Sequence, residues 1–384
     1  MLFSNDLYGI LSLEKTQIAI VGGGLAGLCA AIHLGRYGID VILFEKDSYP
    51  RHKVCGEYVS NEILPYLHYL KVDPIAEGAV KIKKLQLSNT TKKTKEYILP
   101  LGGFSISRYC LDDLLFKEAA VNATIIPEKV TSIEIQNDIF TLKTKSNNSF
   151  KADFVLGAFG KRSNLDTFLK RHFFIKKSPW LAVKAHYEYK LESSTVGVHT
   201  FDGGYCGLSE IENGLVNMCY LTTYDSFQKA NSIESFQNSV MSKNESLHHF
   251  FSNSKMTFEN PLTIGQISFR KKRLIENHII MLGDSAGMIH PLCGNGMAMA
   301  MHSAKLFSEL FINSIGKADF NRASLEKQYT LLWNKTFQKR IKMGNWLQKL
   351  LLNTTATNLG MKTMELLPSL ASKVIEQTHG KPIL

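Results

Sequence analysis

A chain of 384 residues with 44% hydrophobic content has room for one large domain or two ordinary ones around a substantial core. No apolar run reaches the roughly 18 residues that suggest a membrane span. The net charge of +11 raises nucleic-acid binding, but the basic groups are dispersed (Lys81-Lys83-Lys84, Lys92-Lys93-Lys95, Arg270-Lys271-Lys272-Arg273 and the Lys335 to Lys349 region) and no RNA-binding motif or zinc-finger spacing accompanies them, which argues against it.

Residues 1–16 form a short leading segment without assignable chemistry, and Met1 to Lys15 lacks the basic start and apolar core of an export signal. Ile18 to Val21 then predicts a buried parallel strand that breaks into Gly22-Gly23-Gly24. A helix follows, with Leu25, Leu28, Cys29 and Ile32 on one buried face. Gly35-Arg36-Tyr37-Gly38 ends it, and Val41 to Phe44 gives a second strand closing at Glu45. This is the order of a dinucleotide-binding unit. Gly22 permits the turn, Gly24 lets the backbone approach a pyrophosphate, and Gly27 lets the helix pack close to the strand. Glu45 suits ribose hydroxyls and would repel a 2′-phosphate, which favours FAD or NAD over NADP.

The next segment, Asp47 to Glu57, has the composition of a loop. Arg51 and Lys53 could reach cofactor phosphates or simply decorate a basic surface, and Cys55-Gly56 could be a small buried cysteine beside a turn. Asn61 to Leu70 predicts a helix, and alternation from Val80 to Ser107 begins a second sheet. Ser107 is an N-cap for a helix whose first turn holds Arg108, either a surface arginine or one that meets a ligand's negative charge. Three short strands follow at 124–126, 130–135 and 140–144, and Phe154-Val155-Leu156 returns the chain to the first sheet at Gly157-Ala158-Phe159-Gly160.

Residues 178–223 alternate as antiparallel sheet, 225–257 predict helix, and Leu262 to Arg273 predicts a strand leading back to the first domain. The strand His278 to Leu282 ends at Gly283-Asp284, which puts a carboxylate at the ligand-binding edge of the sheet. Pro291, Gly294, Asn295 and Gly296 lie in the turn before a helix from Met297, whose N-terminus could stabilise negative charge on a flavin ring. Residues 321–378 predict two helices. The first carries Trp333, Phe337, Ile341, Trp346, Leu350 and Leu351 beside several lysines. It either packs on the nucleotide domain or touches anionic lipid. The six cysteines are scattered without metal-ligand spacing, so no metal site and a reducing, cytoplasmic setting are expected.

Together, Ile18 to Glu45, Arg51-His-Lys-Val-Cys-Gly-Glu57 and Gly283-Asp284-Ser-Ala-Gly287 to Gly296 resemble the flavoprotein superfamily of p-hydroxybenzoate hydroxylase and the geranylgeranyl reductases. The wording is closer to the reductase branch, and the resemblance spans roughly residues 15–310. It implies an α/β fold: a Rossmann-like FAD-binding domain with an interleaved antiparallel-sheet substrate domain and a C-terminal helical tail. The implied parts are 1–79, 107–177 and 269–320 for FAD, 80–106 and 178–268 for substrate, and 321–384 for the tail. By resemblance, Gly22, Gly24, Gly27 and Glu45 bind the ADP half of FAD, Arg108 contacts the cofactor, and Gly283-Asp284 meets the ribityl or pyrophosphate region. Pro291, Gly294, Asn295 and Gly296 line the isoalloxazine, with Cys55 and Gly56 near its face.

Phe159 stands where the hydroxylases carry an acid, which puts typical NAD(P)H handling in doubt, and the tryptophan pair of flavin halogenases is absent. The expected activity is an FAD-dependent oxidoreductase acting on a lipophilic small molecule such as an isoprenoid or polyketide, with NADH or NADPH as donor. A monooxygenase and a non-catalytic binding protein are the alternatives. Cys55 and His290 are the candidates for acid or base work, and for His290 a structural role beside Pro291 is the simpler expectation.

Overall fold

The computed structural model describes residues 15–90, 94–175, 177–351 and 380–384. It contains two sheets. In the first, Ile275–Glu276, Ile279–Met281, Ser149–Gly157, Lys15–Val21, Val41–Phe44 and Thr124–Ile126 lie side by side in that order. Lys15–Val21 runs parallel to both of its neighbours. Its inner part is covered on both faces and is apolar, with Ile18, Ala19 and Ile20 fully buried. The helix Leu25–Gly35 crosses over to Val41–Phe44 and buries almost every residue, because it is sandwiched between the sheet and the helices Arg108–Asn122 and Gly296–Ser314. Small residues such as Ala26, Ala30 and Ala31 permit that close approach.

The second sheet runs in the order Lys255–Met256, Trp180–Glu188, Leu215–Thr223, Gly204–Glu210, Thr195–Phe201, Val80–Ser88, Thr94–Ser105 and Tyr58–Ser60. Its pairings are antiparallel except for Thr195–Phe201 beside Val80–Ser88, which is parallel. That pairing joins strands far apart in sequence into one surface. Leu181, Val183, Ala185, Val216 and Met218 face a small core closed by Phe236, Leu247 and Phe250 from the helices Ile233–Ser239 and Glu245–Asn253. On the alternate register positions, Ala182 lies opposite Leu221 and Val198 opposite Gly207. These four residues line a cavity.

One expectation changes. The strand foreseen at Leu262 to Arg273 is only Leu262–Gly265, and it pairs with Trp180–Glu188 in the second sheet. Gln266 then adopts a φ of 57°, which ends the ladder because a strand needs negative φ. In the tail, the helix Arg322–Leu351 packs inward through Leu325, Tyr329, Trp333 and Phe337, spaced four apart on one face. The second tail helix and the leading segment 1–14 lie outside the described residues. Among the described residues, no helix is long and apolar enough to cross a membrane.

Candidate functional site

The turn after Lys15–Val21 is shaped by what its glycines exclude. Gly22 has a φ of 110°, and a Cβ there would lie 2.4 Å from the Ala158 carbonyl oxygen. A Cβ on Gly27 would lie 2.0 Å from the Gly22 carbonyl oxygen. Both glycines are therefore required by packing. Gly24 differs: among the described residues a Cβ there meets nothing within 4 Å, so its side is open. The helix starting at Leu25 has no side-chain cap and no acid in its first turn. Its unpaired N–H groups and positive dipole end suit a phosphate.

Glu45 follows directly from Val41–Phe44. Its Oε2 accepts from the Gly23 N–H at 2.9 Å and from Arg51 at 2.9 Å, and its Oε1 accepts from the Asp47 N–H at 3.1 Å. Tyr49 donates to the Gly23 carbonyl. The acid is thus fixed in place before any ribose reaches it.

Two of the basic residues expected at the cofactor, Lys53 and Arg108, share one acid, whereas Arg51 is held by Glu45. Asp112 is fully buried and accepts from Arg108 Nε at 2.6 Å, Arg108 Nη2 at 2.8 Å and Lys53 Nζ at 2.7 Å. Burial opposes ionisation of Asp112, but Arg108 and then Lys53 outweigh it and hold the carboxyl below its usual range. Arg108 is therefore oriented by the residue one turn later on its own helix.

A second charged cluster lies under the loop. The Glu57 carboxylate is fully buried and accepts from Lys184 Nζ, from His186 Nε2 at 2.8 Å and from the Arg108 backbone N–H at 2.7 Å. Burial again opposes its charge, and the His186 hydrogen bond with the Lys184 charge more than offsets this, so its pKa is lowered. Lys184 and His186 sit on Trp180–Glu188, opposite Cys219 and Asn217. Asn217 Nδ2 donates to the Cys55 carbonyl at 3.3 Å. The segment 51–57 is thereby held to the second sheet by charge and to the helix Arg108–Asn122 by a cap.

The far edge of the first sheet is tied down similarly. Lys272 Nζ donates to the Asp284 carbonyl at 2.6 Å. Burial pushes the Lys272 pKa down to about 8. Arg171 donates to Asp166 at 2.9 Å and to the Ser285 carbonyl at 2.8 Å, and Ser285 Oγ accepts from the Gly160 N–H at 2.8 Å.

A cavity of about 830 Å³ joins these parts. Gly22, Gly24, Glu45, Arg51, Lys53, Cys55, Arg108, Gly283, Asp284, Pro291, Gly294 and Gly296 all line it. Gly27 and Asn295 do not. Gly27 is buried in the packing described above. Asn295 is turned away: its Nδ2 donates to Glu62 Oε1 at 2.8 Å, and Arg340 of the tail helix also binds Glu62 at 3.0 Å. It buttresses the turn from behind, in contrast to its expected place against the isoalloxazine. His290 also lies behind the wall, boxed by the rings of Trp180, Tyr205 and Phe269 at centroid distances of 5.8, 5.9 and 4.8 Å. Neither of its ring nitrogens has a partner among the described residues, and burial pushes its pKa down to about 3.

Sequence reasoning missed Glu57 as an anchor, along with Lys184, His186 and Asp112. The Arg108 to Asp112 spacing of four was a usable signal. Lys184 and His186 were not readable, since polar residues alternating with Leu181, Val183 and Ala185 look like a solvated strand face.

Two family models match the chain: the pyridine nucleotide-disulphide oxidoreductase family over residues 16–166 and the squalene epoxidase family over residues 262–351. A flavin-dependent halogenase of Aspergillus carbonarius is 31% identical over 151 residues, covering 37% of this chain and 30% of that protein. The 3-demethoxyubiquinol 3-hydroxylase of Escherichia coli is 22% identical over 324 residues, covering 78% and 81% of the two chains. Digeranylgeranylglycerophospholipid reductase of Methanosarcina acetivorans is 24% identical over 360 residues, covering 88% and 83%. Among solved structures, a flavin-dependent brominase superposes with a TM-score of 0.76 at 16% identity, covering 95% and 93%, which shows the shared fold. Together the family models and these relatives support an FAD-dependent oxidoreductase. This flavoprotein is an enzyme whose relatives include hydroxylases, halogenases and a reductase, so the narrower expectation of the geranylgeranyl reductase branch corresponds to one distant relative among several. The site fits FAD on its own geometry: a phosphate turn open at Gly24, an acid at the second strand and a cavity running on to the turn at 291–296.

Proposed function

We propose that this flavoprotein exchanges a hydride with a lipophilic small molecule, an isoprenoid or polyketide, as a geranylgeranyl-reductase-like enzyme that takes electrons from NADH or NADPH. The observation that carries the reading is the continuity of the cavity. From the cofactor turn it runs over an apolar wall of Leu85, Leu87, Leu99, Val196, Val198 and Leu221 from the second sheet, a surface suited to a greasy substrate and poorly suited to a charged one.

In this reading Gly22, Gly24, Glu45, Arg51, Lys53 and Arg108 hold the ADP half of FAD, Gly283 and Asp284 its middle, and Pro291, Gly294 and Gly296 its ring, with Cys55 at the ring's face. Bound FAD supplies the hydride chemistry. The protein's own part is to fix the loop 51–57 through Glu57, keep water from the apolar wall and offer the dipole end of Gly296–Ser314 to the ring. A cytoplasmic location belongs to the same reading, supported by cysteines that are all free thiols.

A second reading, an oxygen-using monooxygenase, is favoured by the similarity to the E. coli hydroxylase. Purified protein should be yellow, should bleach with NADH or NADPH in the absence of oxygen, and should then reduce an unsaturated apolar substrate anaerobically. Incorporation of labelled oxygen from O2 into product would replace the reductase reading with the monooxygenase one. A colourless protein that cannot be reconstituted with FAD would overturn both.

A further inference from the structure

The helix Arg322–Leu351 buries one face and leaves a stripe on the other. Leu331 is 62% exposed and Trp346 is 52% exposed. Between them on the same side lie Lys335, Lys339 and Lys342, all exposed. Leu331 to Trp346 spans about 22 Å of helix. No Asp or Glu occurs from Lys327 to Leu351, and among the described residues none of these three lysines has an acidic partner. Arg340, by contrast, is turned inward onto Glu62.

A helix face meant only for water ordinarily mixes both signs and gains from pairs four residues apart. This one repels itself. It also exposes a tryptophan and a leucine, which a solvated face does not need. Leu347, the residue after Trp346, is part of the cavity wall.

We propose that this stripe docks the protein on an anionic lipid surface, with Lys335, Lys339 and Lys342 over the headgroups and Trp346 and Leu331 set into the interface. Long-stemmed lysines reach headgroups while an indole favours the boundary between water and acyl chains. An acidic protein or a nucleic acid would satisfy the lysines alone, and the two exposed apolar side chains favour lipid. The docking does not depend on which substrate the cavity accepts.

The tryptophans give a direct readout, because Trp180 and Trp333 are 5% and 6% exposed and only Trp346 can change its surroundings. The full chain with FAD should co-sediment with phosphatidylcholine vesicles containing phosphatidylglycerol and not with phosphatidylcholine alone. Its tryptophan emission should shift to the blue on binding, and the binding should weaken as salt rises. Replacing all three lysines (Lys335→Gln, Lys339→Gln, Lys342→Gln) should weaken vesicle binding on the order of a hundredfold. The melting temperature and flavin spectrum should stay unchanged, since these side chains are exposed and none of them forms an ion pair among the described residues. Trp346→Phe should remove the blue shift while vesicle binding persists. Equal binding by the triple variant, an emission that does not move, or binding to duplex DNA through the same lysines without vesicle binding would each overturn the proposal.

Discussion

The two ends of the segment 22–57 are built by opposite means. At the Gly22 to Gly27 turn the structure is nearly all backbone: contacts are set by absent side chains, within the turn itself and against the backbone at Ala158. At Glu57 the structure is built around a side chain. A fully buried carboxylate gathers Lys184 and His186 from the second sheet and a backbone N–H from the helix at Arg108. The first region tolerates no added atom, and the second tolerates no lost charge. Steric sites should therefore fail by overpacking and ionic sites by desolvation.

The largest effect should come from Gly27→Ala. Its Cβ would sit 2.0 Å from a carbonyl oxygen of the turn, and neither the helix nor the strand can retreat from a fully buried contact. Overpacking of about 3 kcal/mol or more is expected, above the ordinary range for added methylenes because the clash is with backbone. Thermal melting and soluble yield measure it, and a variant as stable as the parent would refute the packing argument.

Glu57→Leu should follow, at about 3–5 kcal/mol, because it strands the Lys184 ammonium in a buried site. The comparison sharpens with a pair: Glu57→Leu combined with Lys184→Met should recover a good part of that loss. A denaturant-melt cycle that shows simple additivity would mean the two charges are not coupled.

Gly24→Ala tests the turn from the other direction. Among the described residues nothing lies within 4 Å of the added Cβ, and the φ of -89° there suits alanine. Stability without cofactor should stay within about 0.5 kcal/mol, while FAD affinity falls, as fluorescence titration of the apoprotein would show. Loss of stability with affinity intact would reverse the assignment of Gly24 to the ligand side.

This contrast also sets what could be read from sequence. The parallel strand, turn, helix and acid were legible because each rests on neighbours in the chain: the apolar run Ile18 to Val21, the glycines and Glu45. The cavity-lining turn at Pro291 to Gly296 was legible for the same reason. The anchors were not. Glu57, Lys184 and His186 lie far apart in sequence, and a buried charge on a strand is indistinguishable from a solvated one until the roof over it is known. Asn295 shows the limit within a motif, since its position was read correctly while the direction of its side chain depends on Glu62 and Arg340. The length of Leu262–Gly265 depended on one residue's backbone angle, which composition does not set.

The smallest effect concerns His290, where the two means of construction meet. A polar ring sits in an aromatic box with both nitrogens unpartnered among the described residues. Burial lowers its pKa from 6.5 to about 3. At pH 5 the unfolded chain carries a proton on this histidine that the folded chain does not, so stability must rise with pH between about 3 and 6.5 and fade on acidification through that window. His290→Phe fills the same box without the polar atoms. It should melt at or slightly above the parent at pH 7, by about 1 kcal/mol, and lose less stability than the parent between pH 6.5 and pH 5. A parallel pH dependence in the two proteins would show that His290 is not the group responsible. Turnover decides the remaining point: a variant that is more stable and fully active leaves His290 a filler of the box, whereas one that is more stable and inactive would mean the unpartnered nitrogens are kept at a cost in stability for the chemistry.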